Sequence, residues 1–182
     1  MRITVVGRGT LGGGLADLWE RAGHHVRRVG RDGGDMSDAD VVLMAVPGGV
    51  IADAFERLRG FEGKTVIDAT NLDNVTPPDG FASNAEFVKS KTKGPTAKSF
   101  NVNFASLFDR LADARARPGN LWCGDEEARE VVEQLNRDAG YDPVRVGPLE
   151  SAAAQEALIG VLFGITEGMG PCVYRFAPVD QL

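Results

Sequence analysis

The sequence predicts an α/β fold, a doubly wound parallel sheet, on three observations. Short β-branched runs recur along the 182 residues, helical stretches with apolar positions three and four apart stand between most of them, and the first run opens into a glycine-rich turn. Strands that alternate with helices need crossover connections, and crossovers on both faces bury a parallel sheet between two helical layers.

The first strand, Arg2-Ile3-Thr4-Val5-Val6, delivers the chain into Gly7-Arg8-Gly9-Thr10-Leu11-Gly12, a G-x-G-x-x-G pattern with an amphipathic helix directly behind it. Strand, spacing and helix together mark the turn of a Rossmann-like dinucleotide-binding fold rather than an ordinary glycine turn. Gly7 allows the tight bend, Gly9 lets bare backbone approach a pyrophosphate, and Gly12 lets the helix lie close to the strand. Phosphates at this turn meet unpaired N–H groups and the positive end of the helix dipole. Leu11, Leu15, Leu18, Trp19 and Ala22 share one face of that helix, and Gly23 stops it.

The second strand, residues 25–29, is followed by an irregularity. Between Arg31 and Asp40 stand only Asp32-Gly33-Gly34-Asp35-Met36-Ser37-Asp38-Ala39, too few for a helical crossover, which takes about a dozen residues or more. Extended, they reach roughly 25 Å at about 3.3 Å each, enough to cross the first strand and join the sheet on its far side. The crossover after strand two is therefore expected to lack its helix and to leave strand two at the sheet edge, where Arg27 and Arg28 discourage strand addition.

The end of strand two also selects the cofactor. An NAD site commonly offers a carboxylate there to the ribose 2′-hydroxyl, whereas this chain reads Val29-Gly30-Arg31. A guanidinium grips a 2′-phosphate with paired charge-assisted hydrogen bonds, so NADP is the expected dinucleotide. Arg8 is placed to reach either the same phosphate or the pyrophosphate. Asp32 becomes the ribose acid if the strand runs longer.

Ligands bind open α/β sheets at the carboxyl ends of their strands. Residues 41–46 form the third strand, and Ala45-Val46-Pro47 at its end is expected to wall the nicotinamide ribose, with Pro47 also opening a helix over 50–58. Strand 65–69 ends at Thr70-Asn71, and strand 97–101 at Asn101-Val102-Asn103. The Asn101 and Asn103 amides are read equally as loop caps and as substrate contacts, since Asn is also a common turn residue. Strands 121–124 and 144–147 complete the sheet. Between them Asp125 caps a helix with Ala128, Val131, Val132 and Leu135 on one face, ended by Gly140. The last helix, from about Leu149, carries Leu158, Val161, Leu162 and Ile165, widened by Ile159 and Phe163. Such a helix is either deeply buried or packed on a second subunit, and a homodimer is expected.

A hydrophobic fraction of 43% over 182 residues supports one domain, residues 1–182. The net charge of −6 argues against nucleic acid, and the longest apolar run, 157–165, falls short of the roughly 20 residues of a membrane span. Neither is an expected partner. Met1 leads directly into the first strand, Cys123 and Cys172 have no metal-like or redox-like spacing, and a cytoplasmic location is expected. No metal-ligand cluster or Ser/His/Asp set is visible. His24 and His25 enter strand two at its amino end, Tyr141 precedes a strand, and Lys98 lies inside one, where it is read as an ion-pair partner.

The glycine turn, Ala45-Val46-Pro47, Ala97-Lys98-Ser99-Phe100-Asn101, Trp122-Cys123-Gly124-Asp125 and Gly147-Pro148-Leu149 resemble the deazaflavin-dependent NADP oxidoreductases over nearly the whole chain. Ser83-Asn84-Ala85-Glu86-Phe87 and Lys98-Ser99-Phe100-Asn101-Val102 also resemble the cytosolic NADPH-flavin reductase domain of six-transmembrane metalloreductases. The resemblance implies an NADP site along the glycine turn, Arg31 and Pro47. It implies a second ring, that of coenzyme F420, FMN or FAD, near Asn71 and Asn101, with hydride passing between the two. Rings stacked face to face need orientation more than an acid or base, so no catalytic side chain is required. The chain departs from the family in its short crossover and in Gly30, where archaeal-type enzymes carry a serine. The alternative is a non-catalytic NADPH-binding sensor or scaffold whose Asn101 region docks another protein.

Overall fold

The computed structural model describes residues 1–72 and 75–181. Its principal elements, in chain order, are β1 (Arg2–Val6), α1 (Thr10–Arg21), β2 (His25–Val29), β3 (Gly34–Asp35), β4 (Val41–Met44), α2 (Ile51–Glu56), β5 (Leu58–Arg59) and β6 (Thr65–Asp68). There follow α3 (Asn84–Thr92), β7 (Thr96–Ser99), β8 (Gly119–Gly124), α4 (Arg129–Asp138), β9 (Asp142–Gly147) and α5 (Ala152–Met169). Seven strands form one sheet in the order β2-β1-β4-β6-β7-β8-β9. The doubly wound α/β architecture is therefore the one the sequence predicts.

Residues 30–40 contain no helix, β2 stands at the sheet edge, and β4 pairs with β1 on its far side. The short crossover also makes β3, which pairs in parallel with β5 as a two-stranded flap. At the edge, Arg28 pairs with Asp17 and Glu20 of α1, and Arg27 donates to Asp35 O and Thr4 Oγ1.

The sheet departs from the expected parallel arrangement in one place. β8 runs antiparallel to β7, and β9 runs parallel to β8, so the last two strands oppose the first five. The physical reason is the connection. After β7 the chain returns through 3-10 turns over Ala105–Asp113 packed on α1, without the α-helical crossover that would carry it back to the amino edge.

The two faces of the sheet hold separate cores. Ile3, Val5, Leu43, Ile67 and Ala97 pack with Leu15 and Trp19 of α1 and Val132 and Leu135 of α4. Val6, Val42, Met44 and Val66 pack on the opposite face with Ile51 and Phe55 of α2 and Phe87 and Val88 of α3. Residues alternate between faces along each strand, as the pleat requires. Gly23 takes a φ of 91° just beyond α1, and Trp19 Nε1 donates to Leu135 O at 2.9 Å, joining the helices of the first face.

Two expectations about the later helices need correction. Asp125 does not cap its helix with its side chain: the carboxylate accepts instead from Lys89 Nζ at 2.6 Å and Thr96 N at 2.8 Å, and the helix opens with a 3-10 turn at Glu126–Ala128. A nearby ammonium and a strand N–H outbid the local cap. Nor is α5 deeply buried, since only Ala152, Gln155, Glu156 and Leu162 are enclosed. Val161 (58%), Phe163 (52%) and Met169 (69%) are exposed, which leaves the second-subunit alternative standing. Leu149–Met169, with a mean hydropathy of 1.2, is by length and composition also apolar enough to cross a membrane, although its unbroken apolar run is only 157–165. The polar pair Gln155-Glu156 that interrupts it is turned inward onto the sheet.

Candidate functional site

The carboxyl ends of β1, β2, β4, β6 and β7 share one edge of the sheet, and the predicted binding residues follow directly from them. At the turn after β1, the three glycines differ in what a side chain there would meet. Gly7 has a φ of 115°, and a Cβ there would stand 2.1 Å from Ala45 O. A Cβ at Gly12 would stand 2.3 Å from Gly7 O, so the first turn of α1 packs on strand-turn backbone. A Cβ at Gly9 would meet nothing within 4 Å. Its space is open. Gly9 is the N-cap of α1 in extended conformation, and no side chain caps the helix. The first-turn N–H groups, at Thr10 and Leu11 among others, thus keep the anion-binding character of a bare helix start. Thr10 is exposed and Leu11 packs on the core.

The Arg8 side chain turns toward the end of β2. Its Nη2 donates to Arg28 O at 3.2 Å, and its guanidinium lies over Gly30, where a Cβ would stand 3.3 Å from Arg8 Cζ. Arg31 and Asp32 follow, both exposed. Two guanidinium side chains therefore belong to one surface at the end of β2, the place a 2′-phosphate occupies in this fold.

On the neighbouring loop Ala45 N donates to Val6 O at 2.8 Å, Val46 packs on the second core, and Pro47 turns the chain into 3-10 turns at Gly48–Val50. A Cβ at Gly48 would stand 2.0 Å from Asn71 O, which ties the 45–48 loop to the end of β6.

Asn71 and Asn101 are joined by a reciprocal pair of hydrogen bonds. Asn71 Nδ2 donates to Asn101 O at 2.7 Å and Asn101 Nδ2 to Asn71 Oδ1 at 3.0 Å. Gln155 Nε2 then donates to Asn101 Oδ1 at 2.8 Å. Asn103 Nδ2 donates to Asn120 Oδ1 at 2.6 Å and to Tyr174 Oη at 3.4 Å. Of the two readings of Asn101 and Asn103, loop capping is what their amides do.

Lys98 is fully buried, as the ion-pair reading requires. Its Nζ lies 2.8 Å from Asp68 Oδ2, 2.6 Å from Glu156 Oε1 and 2.6 Å from Thr70 O. Asp68 Oδ1 also accepts from Thr70 N at 2.9 Å. Glu156 is close to the ammonium, yet neither of its oxygens has a well-directed hydrogen bond among the described residues. Burial pushes its carboxyl above the usual range, with the Lys98 charge opposing that shift. Sequence reasoning found the lysine and missed its partners. A buried lysine demands a counter-ion, and the polar pair Gln155-Glu156 within an apolar helix was the signal available.

Burial raises the Cys123 thiol to about 12 and the Tyr174 phenol to about 12, and also raises Tyr141. His24 bridges the Met1 amino group and Asp138 beside the amino end of β2, away from the ligand edge. A hollow of about 690 Å³ between α1 and α4, lined by Leu18, Arg21, Phe108 and Asp138 among others, includes none of the carboxyl-edge residues.

No family model matches the chain. The rat metalloreductase STEAP3 is 35% identical over 101 residues, which is 53% of this chain and 20% of STEAP3. The chain thus spans about a fifth of that relative's length. A protein of Arthrobacter sp. FB24, provisionally described as an F420-dependent NADP reductase, superposes with a TM-score of 0.75 at 20% identity, covering 98% of this chain and 99% of the other. A reductive aminase of Aspergillus terreus, solved with NADPH and ethyl levulinate, gives a TM-score of 0.67 at 14% identity, covering 92% of this chain and 62% of its own. Both likenesses to known groups drawn from the sequence therefore have a counterpart among these proteins, and the structural ones establish the fold.

Proposed function

We propose that the chain is an NADP-dependent oxidoreductase that passes hydride between NADPH and a deazaflavin or flavin. The observation that carries the reading is the glycine turn, crowded at Gly7 and Gly12 and open at Gly9, with the Arg8 guanidinium beside the end of β2. This cradle fits a dinucleotide. Gly9 and the start of α1 would hold the pyrophosphate, Arg8 and Arg31 the 2′-phosphate, and Ala45, Val46 and Pro47 the nicotinamide ribose. When bound, the dinucleotide supplies the hydride. The protein would hold, orient and exclude water, and Asn71, Asn101 and Lys98 at the edge are hydrogen-bonded or ion-paired within the protein, as a transfer without a protein acid would permit. The likeness to the STEAP3 segment and to the Arthrobacter protein supports the same reading.

The test is stopped-flow mixing of NADPH with coenzyme F420, FMN and FAD in turn. Rapid oxidation of NADPH with one of them is expected. Tight NADPH binding with no transfer to any would favour the sensor or scaffold reading.

Calorimetry examines the phosphate site separately. Arg31→Ala is expected to weaken NADPH by about 1.5 to 3 kcal/mol, the range for a hydrogen bond to a charged group, or roughly tenfold to a hundredfold. NADH affinity should stay unchanged. Because Arg8 turns toward β2, Arg8→Ala should also act on NADPH alone, and an equal loss for NADH would move it to the pyrophosphate. Tighter binding of NADH than NADPH by the unmutated protein would make Asp32 the ribose acid instead.

A homodimer through α5 is part of the same proposal, because Val161, Phe163, Ile165 and Met169 expose an apolar surface. Light scattering at micromolar concentration is expected to give twice the chain mass. A monomer would exclude it.

A further inference from the structure

We infer that Gln155 of α5 is a positioning residue: it clamps the Asn71–Asn101 amide pair and, through it, fixes a strained turn at the ligand edge. The inference rests on the reading that a second ring lies against the 71 and 101 loops.

The strain is at Phe100. Its φ is 66°, a left-handed conformation that a bulky residue rarely adopts. Such residues persist only where the surroundings over-determine them, and they gather at functional sites. Here the side chain is held from below. Phe100 is fully buried, edge-on to Trp19 at 5.7 Å and to Tyr141 at 6.5 Å between ring centroids.

The next residue, Asn101, is held from the other side. Its Nδ2 goes to Asn71 and its Oδ1 to Gln155, while its carbonyl receives Asn71 Nδ2. Gln155 Nε2 donates a second time, to Leu121 O at 3.1 Å. Both of its partners are acceptors. A flipped Gln155 amide would face two oxygens with an oxygen, so the surroundings dictate its orientation. The cost shows in Gln155 Oε1, which is buried without a partner among the described residues. An amide that leaves its acceptor bare to supply two donors is set for those donors. The far side of the loop is fixed as well, because Lys98 Nζ holds Thr70 O and Asn84 Nδ2 holds Thr70 Oγ1 at 2.9 Å. One residue of α5 thus completes a link between the ends of β6, β7 and the start of β8.

Gln155→Met keeps the length of the side chain and removes the unpaired oxygen, while the loss of both donors leaves Asn101 Oδ1 and Leu121 O without this partner, so the variant should fold with a melting temperature lower by several degrees. Turnover with the flavin-type acceptor is expected to fall at least tenfold while NADPH affinity stays within twofold. Asn71→Ala opens the same pair from a half-buried loop and should reproduce the loss, and the double variant should be no worse than either single one. Additive losses, unchanged turnover, or NADPH affinity falling in step with turnover would overturn the clamp. A readout independent of activity is proton exchange at the side-chain NH2 groups of Asn71 and Asn101 in the free protein. Slow exchange is expected, accelerating at least tenfold in Gln155→Met with Asn120 and Asn136 unaffected. Fast exchange in the unmutated protein, or loosening of all four amides together, would also overturn it. If exchange behaves as expected but no acceptor is reduced, the clamp stands and the oxidoreductase reading fails.

Discussion

Lys98→Met is expected to destabilise the protein by about 3 to 5 kcal/mol, the cost of leaving buried carboxylates without their cation. Asp68, Lys98 and Glu156 have side-chain exposures of 0%, 0% and 2%, so water cannot replace the lost ammonium. In a chain of 182 residues this corresponds to a melting temperature lower by on the order of 10 °C. The deficit should depend on pH in a definite sense. Burial raises the Glu156 carboxyl and the Lys98 charge opposes that shift, so removing the ammonium leaves the Glu156 pKa further above its unfolded value. Its protonated form is then the stable one, and stability is lost as pH rises from the unfolded toward the folded pKa. The deficit measured by urea unfolding is therefore expected to be smaller at pH 5 than at pH 8.

Glu156 gives the unmutated protein a weaker version of the same slope, because burial already raises its carboxyl. Glu156→Gln should flatten that slope, and Lys98→Met combined with Glu156→Gln should recover part of the loss. A deficit below about 1 kcal/mol for Lys98→Met, the scale of an exposed pair, would show that the triad is solvated.

What could be read from the sequence was local or counted. The glycine turn, the helix face of Leu15 and Trp19, and the missing crossover helix after Arg31 all follow from residues adjacent along the chain or from the length available. The reversed direction of β8 did not follow. The apolar spacing of Ala105, Phe108 and Leu111 serves a 3-10 path as well as a helical crossover, and only the tertiary packing on α1 distinguishes them.

At the site, the positions of Arg31, Pro47, Asn71 and Asn101 at one edge were legible because strand ends are. The commitments of their side chains were not. Whether Asn101 faces a ligand or a neighbour depends on Gln155, 54 positions away, and on a backbone conformation at Phe100 that its residue type argues against. Separation along the chain also hid the partners of Lys98: Asp68 carries no local mark, and Glu156 shows only as a polar residue beside Gln155 in an apolar helix.

The glycine turn itself permits the sharpest separation of fold from function. Gly7→Ala should destabilise the protein by about 3 kcal/mol, combining the strain of a non-glycine residue in a disfavoured region with overpacking. The Cβ would be forced to 2.1 Å from Ala45 O at a φ of 115°, and the obstacle is backbone that a rotamer change cannot clear. Gly9→Ala should behave in the opposite way. Its Cβ would enter open space, and Gly9 is already extended at φ −72° and ψ −175°, so the melting temperature should move by no more than a degree or two. NADPH and NADH should nonetheless both bind at least tenfold more weakly, because the added methyl group would stand where the pyrophosphate must approach bare backbone. Thermal unfolding and calorimetry on the two variants check both halves. Unchanged affinity for both dinucleotides in Gly9→Ala would reduce the motif to an ordinary turn, however well the sheet behind it folds.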